Sequence, residues 1–270
     1  MSVYALIVED LQEGYVDVCQ EVLEFGELES PRGMLTRELL DQTLVIMDPH
    51  RTLPIGVGRG LNVKFAAREA LQVIGGYSDP NQLVEVVPRM QQFMDGGVFH
   101  GAYGPRVGPQ FERVLNVLVR DPSSRQAVMN IYDATCDLDR PTNDVPCTLT
   151  LTFRIRQGKL ELKVHMRSND VWWGLGYDAF VFSNLQCTMA RCLGVEAGRY
   201  IHHADSLHAY ERDWESIKGL HVRTPELASV VWTNGLASPD EARRIGIGHA
   251  PPLADDTSSL WFYEKADLHA

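Results

Sequence analysis

Between Cys147 and Arg167, apolar and polar residues alternate strictly. Leu149, Leu151, Phe153 and Ile155 fall on one face of an extended chain, with Thr150, Thr152 and Arg154 on the other. After Gln157-Gly158 the alternation resumes, setting Leu160, Leu162, Val164 and Met166 against Glu161, Lys163, His165 and Arg167. Two such runs joined by a two-residue turn containing glycine predict a β-hairpin. Elsewhere the period is helical. "VYALIVEDLQEGYVDVCQEVLEFG" opens as a strand, then shows helical spacing at Leu11, Val16, Val18, Val22 and Leu23. "SPRGMLTREL" reads as a loop around Pro31 and Gly33. "LNVKFAAREALQVIGG" predicts a helix stopped by Gly75 and Gly76, and a second helix is expected near Asn81–Met94. "FERVLNVLVRDPSSRQAVMNIYD" reads as a helix, a turn on Asp121-Pro122, then a strand. "FVFSNLQCTMARCLG" predicts a helix ending on Gly194, and "RYIHHADSLHAY" a strand leading into a helix near Glu211–Lys218. This mixed order predicts an α+β fold, a largely antiparallel or mixed sheet flanked by helices. No repeat or linker divides the chain, so residues 1–270 are expected to form a single domain.

Composition narrows the function. The 270 residues carry a net charge of −11, against the basic surface that non-specific nucleic-acid or anionic-membrane binding requires. Neither nucleic acid nor membrane is an expected partner. A few clustered arginines could still hold an anionic substrate. Five cysteines (Cys19, Cys136, Cys147, Cys187 and Cys192), an odd count without a CxxC pair, fit free thiols in a reducing compartment. With no signal-like N-terminus and no membrane-length apolar run, the expected setting is the cytoplasm.

Taken singly, the polar candidates have ordinary explanations. Cys147, after Pro146 at a strand start, could be a small buried hydrophobe. It becomes a candidate nucleophile because Arg167 lies on the neighbouring strand, where a guanidinium would lower a thiol pKa. "RDPSSRQ" and "SPRGMLTRE" could be solvated turns, and Glu69 either a surface acid beside Arg68 or a buried one. His202-His203 point to opposite faces of a strand, so no metal site is expected.

Taken in order, the same residues resemble the thymidylate synthase superfamily. The set is Arg32 in a loop, Glu69 ahead of Gly-Gly, Tyr103 in "GAYG", Arg125 in "DPSSRQ", and Cys147 in "PC". "RSNDVWWGLG" from Arg167 to Gly176 and "HHADSLHAY" from His202 to Tyr210 complete it. The combination is specific, and the pattern is most similar to the deoxycytidylate 5-hydroxymethylase branch known from phages, a resemblance that implies action in a bacterial host's cytoplasm if the gene is a phage's.

The resemblance implies roles. Cys147 would add to C6 of a pyrimidine, with Glu69, Tyr103 and Asp178 completing the catalytic group. Arg32, Arg125, Arg167 and Ser168 would hold the 5′-phosphate, Arg125 reaching in from the partner of a homodimer. His208 and Tyr210 would bind the sugar. Asp170, Trp173, Gly174 and Tyr177 would line the pocket of a folate co-substrate, 5,10-methylenetetrahydrofolate. Asp178 stands where uracil-specific synthases carry Asn, and a carboxyl sharing a proton with N3 and accepting from the 4-amino group matches cytosine. The implied activity is 5-hydroxymethylation of dCMP.

The alternatives are CMP as substrate, a methylating synthase, or a non-catalytic nucleotide- or RNA-binding relative. The sequence departs from the synthase pattern at Gln126, where a second arginine is usual, and at Thr148, where histidine is common. No tryptophan stands between Pro80 and Tyr103, where synthases shield the folate, and "FYEKADLHA" is unlike a synthase tail.

Overall fold

In the computed structural model, residues 5–221, 235–248 and 257–266 are described. The chain runs β1 (Ala5–Val8), α1 (Leu11–Phe25), β2 (Glu27–Glu29), a short 3-10 turn at Pro31–Gly33, and the long β3 (Thr36–Ile46). Then come α2 (Val63–Gly75), α3 (Pro80–Val86), a 3-10 segment (Pro88–Phe93), α4 (Gly104–Arg120), β4 (Val128–Asn130) and α5 (Ala134–Asp137). β5 (Thr148–Arg156), β6 (Lys159–Met166), β7 (Asn169–Asp170), α6 (Leu175–Leu193) and β8 (Glu196–Tyr210) follow. A 3-10 turn at Glu211–Asp213 leads into α7 (Trp214–Lys218), with α8 (Pro239–Gly246) and α9 (Thr257–Ala266) last.

The strands form one mixed sheet in the order β1-β3-β8-β6-β5-β4, with β2 beside β3 and β7 beside β8. The β5–β6 hairpin is the one its alternation predicts. Gln157 and Gly158 both take positive φ (52° and 76°), as a two-residue turn matched to strand twist requires. Leu151, Phe153, Leu160, Leu162, Val164 and Met166 point into the core. α6 is buried along nearly its whole length because it packs on β6 and β8 on one side and on α2 and α4 on another. That explains its apolar composition all round. The expected α+β class is the class observed.

Two expected elements differ. The helix anticipated over Asn81–Met94 breaks at Val87, whose φ of −136° and ψ of 81° reflect the clash with the ring of Pro88. "SPRGMLTREL" is a loop only as far as Leu35; Thr36–Leu40 open β3, paired along β8 from Tyr210 to Ser206. Asp41 takes a φ of 55° in mid-strand, but the register against β8 is the same on either side, Leu40 with Ser206 and Gln42 with Ala204. The period is hidden because apolar residues stand side by side at Leu39-Leu40 and at Leu44-Val45-Ile46. α2 ends as expected. Gly76 closes it in a left-handed conformation (φ 69°), and a Cβ there would lie 2.8 Å from the Cα of Gly108.

Candidate active site

Hairpin register assembles the first part of the site. The Arg167 backbone N–H donates to Cys147 O (2.9 Å), placing the two residues side by side at the open end of β5 and β6. The Arg167 guanidinium then clamps the segment before the cysteine. Its Nε donates to Pro146 O (2.9 Å), its Nη2 to Val145 O (3.0 Å), and Nη2 lies 3.7 Å from Cys147 Sγ. Arg167 therefore pulls the thiol pKa down, and Arg32 acts the same way from further off. Burial is the larger effect and leaves the thiol above its ordinary value. The expected activation by Arg167 is present in direction but outweighed in the free protein.

Cys147 shares a cavity of about 710 Å³, including space open to solvent, with Glu69, Tyr103, Asp144 and Asp178. Glu69 comes from α2, Tyr103 from the start of α4, and Asp178 from the first turn of α6. The Tyr103 ring stacks on Phe182 (5.4 Å), and its phenol is pushed well up by burial. Burial, reinforced by Asp178, raises Glu69 to about 8. Burial raises Asp178 to about 7, against a lowering hydrogen bond from Asn169 and with a smaller raising effect of Asp170. The cavity thus gathers a thiol, a phenol and two carboxyl groups that exchange protons near neutrality, a constellation suited to acid–base chemistry.

A pH effect on stability follows. The unfolded chain gives up the Glu69 proton near 4.5, the folded protein near 8. Over that window the folded state binds more protons, so its stability falls as pH rises through it. Asp178 acts in the same direction between 3.8 and about 7. Urea midpoints of Glu69→Gln should therefore decline less between pH 5 and pH 8 than those of the unmodified protein. Parallel declines would mean that Glu69 ionises normally in the folded state.

The other expected residues surround this cavity without lining it. Arg32 sits exposed in the turn before β3 with φ of 54°, close enough to influence both Cys147 and His208. Ser168 lies half-buried between β6 and β7. His208 and Tyr210 end β8, ring edge to ring face at 5.1 Å, and the buried Nδ1 of His208 has no hydrogen-bond partner. Arg125 is apart from this group, exposed in the turn between α4 and β4. Asp170, paired beside His208 on β7, accepts from the backbone of Trp172 (2.8 Å) and Trp173 (3.3 Å), and Tyr177 Oη accepts from Asn62 N (2.9 Å). A Cβ on Gly174 would lie 2.7 Å from Asn169 Nδ2 and 3.1 Å from Asp178 Oδ2, so glycine is needed there for close approach.

Sequence reasoning passed over three residues. Asp144 lines the cavity and accepts from Gly101 N (2.8 Å). Arg59 is 6% exposed, yet its Nε and Nη1 have no hydrogen-bond partner. Its guanidinium lies over Trp172 (4.8 Å), Trp173 (5.5 Å) and Tyr177 (5.5 Å), while Arg89 stacks on Trp173 from 2.9 Å. A lone arginine between glycines in "VGRG" was the available signal for Arg59.

Residues 13–242 match the family model for thymidylate synthase, and the chain belongs to the thymidylate synthase family. It is 34% identical over 238 residues to a deoxyuridylate hydroxymethyltransferase of Bacillus phage SP01, covering 78% of this chain and 62% of that protein. It is 33% identical over 230 residues to a protein of the same name from Pseudomonas phage M6, with 82% and 64% covered. A putative thymidylate synthase of Methanothermobacter marburgensis is 27% identical over 224 residues, covering 80% of this chain and 96% of that one. The chain spans less than two thirds of the length of the two phage proteins. The resemblance read from the ordered motifs is thus borne out at the level of the family and its hydroxymethylase branch.

Proposed function

We propose that the protein transfers a formaldehyde-level carbon to C5 of deoxycytidylate, with water completing the product as 5-hydroxymethyl-dCMP. The observation that carries this reading is Asp178, a carboxyl with a pKa of about 7, in one cavity with Cys147. Cys147 Sγ adds to C6 of the base, and the electron pair of the C5–C6 bond makes C5 nucleophilic. Asp178 shares a proton with N3, which takes up charge as the thiolate adds, and accepts from the 4-amino group. Substrate phosphate near Arg167 and Arg32 holds the nucleotide, and Glu69 and Tyr103 position water and move protons at the base.

The residues also suit a folate. Arg59, buried with two nitrogens unpartnered among Trp172, Trp173 and Tyr177, offers a cation beside stacked rings. A pterin bearing a glutamate tail satisfies both. Bound 5,10-methylenetetrahydrofolate would supply the one-carbon unit. Among the described residues the cavity wall has Met90, Phe99 and Tyr77 and no indole, which leaves water the means to finish the reaction.

The test is to incubate the protein with methylenetetrahydrofolate and dCMP, CMP or dUMP, and to weigh the products. A 30-dalton gain on dCMP alone is the expected result; the hydroxymethyl group replaces one hydrogen. The second reading, 5-hydroxymethylation of deoxyuridylate, is favoured by the names of the two phage relatives and predicts the gain on dUMP. Dihydrofolate formation would indicate methylation instead.

We further propose a homodimer in which the exposed Arg125 completes the partner's phosphate site. Arg125→Ala should raise the KM for dCMP about tenfold or more, as loss of a charged hydrogen bond to phosphate does. Mixed dimers of Arg125→Ala with Cys147→Ser should regain activity, since one of the two sites then has both residues. A KM for dCMP that does not recover in verified mixed dimers would count against phosphate binding across the subunit interface.

A further inference from the structure

Asn169, His202 and Tyr200 have no part in the chemistry above, yet they form a hydrogen-bonded row that ends on Asp178. Tyr200 Oη lies 3.0 Å from His202 Nδ1, and His202 Nε2 lies 3.1 Å from Asn169 Oδ1. Asn169 Nδ2 lies 2.8 Å from Asp178 Oδ2. Tyr200 and His202 are 0% and 2% exposed on the core face of β8, and Asn169 is 3% exposed at the start of β7. Burial this deep leaves these side chains to take their hydrogen bonds mainly from one another.

Such a row has two self-consistent directions. In one, Tyr200 donates to His202, His202 donates from Nε2 to Asn169 Oδ1, and the Asn169 amide donates to Asp178. In the other, every bond is reversed, and Asp178 must donate from Oδ2. The reversed row leaves the buried Tyr200 hydroxyl proton without an acceptor among the described residues, which is costly. Burial also holds His202 far below its ordinary value, at about 3, so the ring is neutral and carries a single proton, as either direction needs.

We propose that this row positions Asp178 for base recognition: by donating to Oδ2 it leaves Oδ1 as the oxygen that carries the proton toward N3. The inference rests on the substrate reading above. In the favoured direction Asp178 offers a donor to N3, and Oδ2 keeps a lone pair for the 4-amino group, the pattern of cytosine. In the reversed direction Oδ1 becomes an acceptor facing N3, the pattern for the N3–H of uracil. The direction of three buried hydrogen bonds is thus part of the choice of base. Asn169 and His202 act through Asp178 and are positioning residues.

The test compares the dCMP-to-dUMP ratio of kcat/KM in the unmodified protein, His202→Gln, His202→Phe and Tyr200→Phe. Gln can set an amide N–H close to where His202 Nε2–H stands, so His202→Gln should keep the ratio. Phe cannot bond to Asn169, whose amide is then free to turn over, so the ratio should fall about tenfold. Tyr200→Phe removes one oxygen from the far end and should lower the ratio in the same direction; it carries the test if His202→Phe does not fold. A ratio unmoved in the folded Phe variants, or a Gln variant as impaired as His202→Phe, overturns the proposal. An unmodified protein that does not prefer dCMP overturns the substrate reading itself, before any variant is compared.

Discussion

Cys147→Ser should bind dCMP with nearly unchanged affinity and turn it over roughly a thousandfold more slowly or worse, the usual scale for losing a nucleophile. Binding survives because nothing that places residue 147 depends on sulfur. The Arg167 contacts at 2.9 Å and 3.0 Å go to backbone carbonyls of Pro146 and Val145, and the register bond goes to the carbonyl of residue 147 itself. Only the 3.7 Å contact to the side chain changes partner. Turnover is lost because a hydroxyl is far harder to ionise than a thiol, and burial already raises the thiol here. Calorimetric titration with dCMP and a product assay on the same preparation check both halves. Substantial turnover in the variant would remove the covalent route.

The raised thiol also says something about the order of events. Arg167 and Arg32 both favour the thiolate, but burial outweighs them in the free protein. Asp178 and Asp144 oppose ionisation as well, so every proton that Asp178 keeps makes Cys147 easier to ionise. A base whose N3 shares the Asp178 proton therefore relieves one of the repulsions that hold the thiol neutral. Recognition of the base and activation of the nucleophile draw on one electrostatic balance.

The hairpin was legible because it buries one regular face, and the helices over Leu61–Gly76 and around Phe180–Gly194 because apolar residues recur at helical spacing along them; each turns or stops at a glycine with positive φ. β3 was not legible, since its apolar residues stand side by side at Leu39-Leu40 and Leu44-Val45-Ile46 rather than alternating. In the site, ordered motifs brought out Cys147, Glu69, Tyr103 and Asp178, which the fold does bring into one cavity. What pattern reading passed over were groups whose meaning is relational. Arg59 is informative only because three aromatic rings surround it and two of its nitrogens lack partners. Asn169 and His202 look like strand residues until their bonds to Asp178 are seen. Spacing along one strand shows which face a residue takes, but not which residue it meets from another element.

Asp178→Asn should change which base the protein accepts. The substitution keeps shape and volume but replaces a carboxyl that can donate to N3 with an amide that pairs with O4 and N3–H of uracil. A buried mismatch of this kind costs about 1–3 kcal/mol, so the preference for dCMP should fall by about tenfold to a hundredfold. dUMP turnover should become measurable and yield 5-hydroxymethyl-dUMP rather than dTMP, because nothing in the substitution keeps water from the intermediate. The gain should be partial. To present its N–H to O4, the new amide must turn its donor toward Asn169, which the row from Tyr200 holds as a donor too. Two donors would face each other until the row reverses. Adding His202→Phe frees Asn169 to turn, so the double variant should use dUMP better than Asp178→Asn alone, although His202→Phe by itself impairs dCMP turnover. Such non-additivity is expected only of residues that share a bonded network. If Asp178→Asn left the dCMP-to-dUMP ratio of kcat/KM as in the unmodified protein, Asp178 would not read the base, and the cytosine assignment would lose its main support.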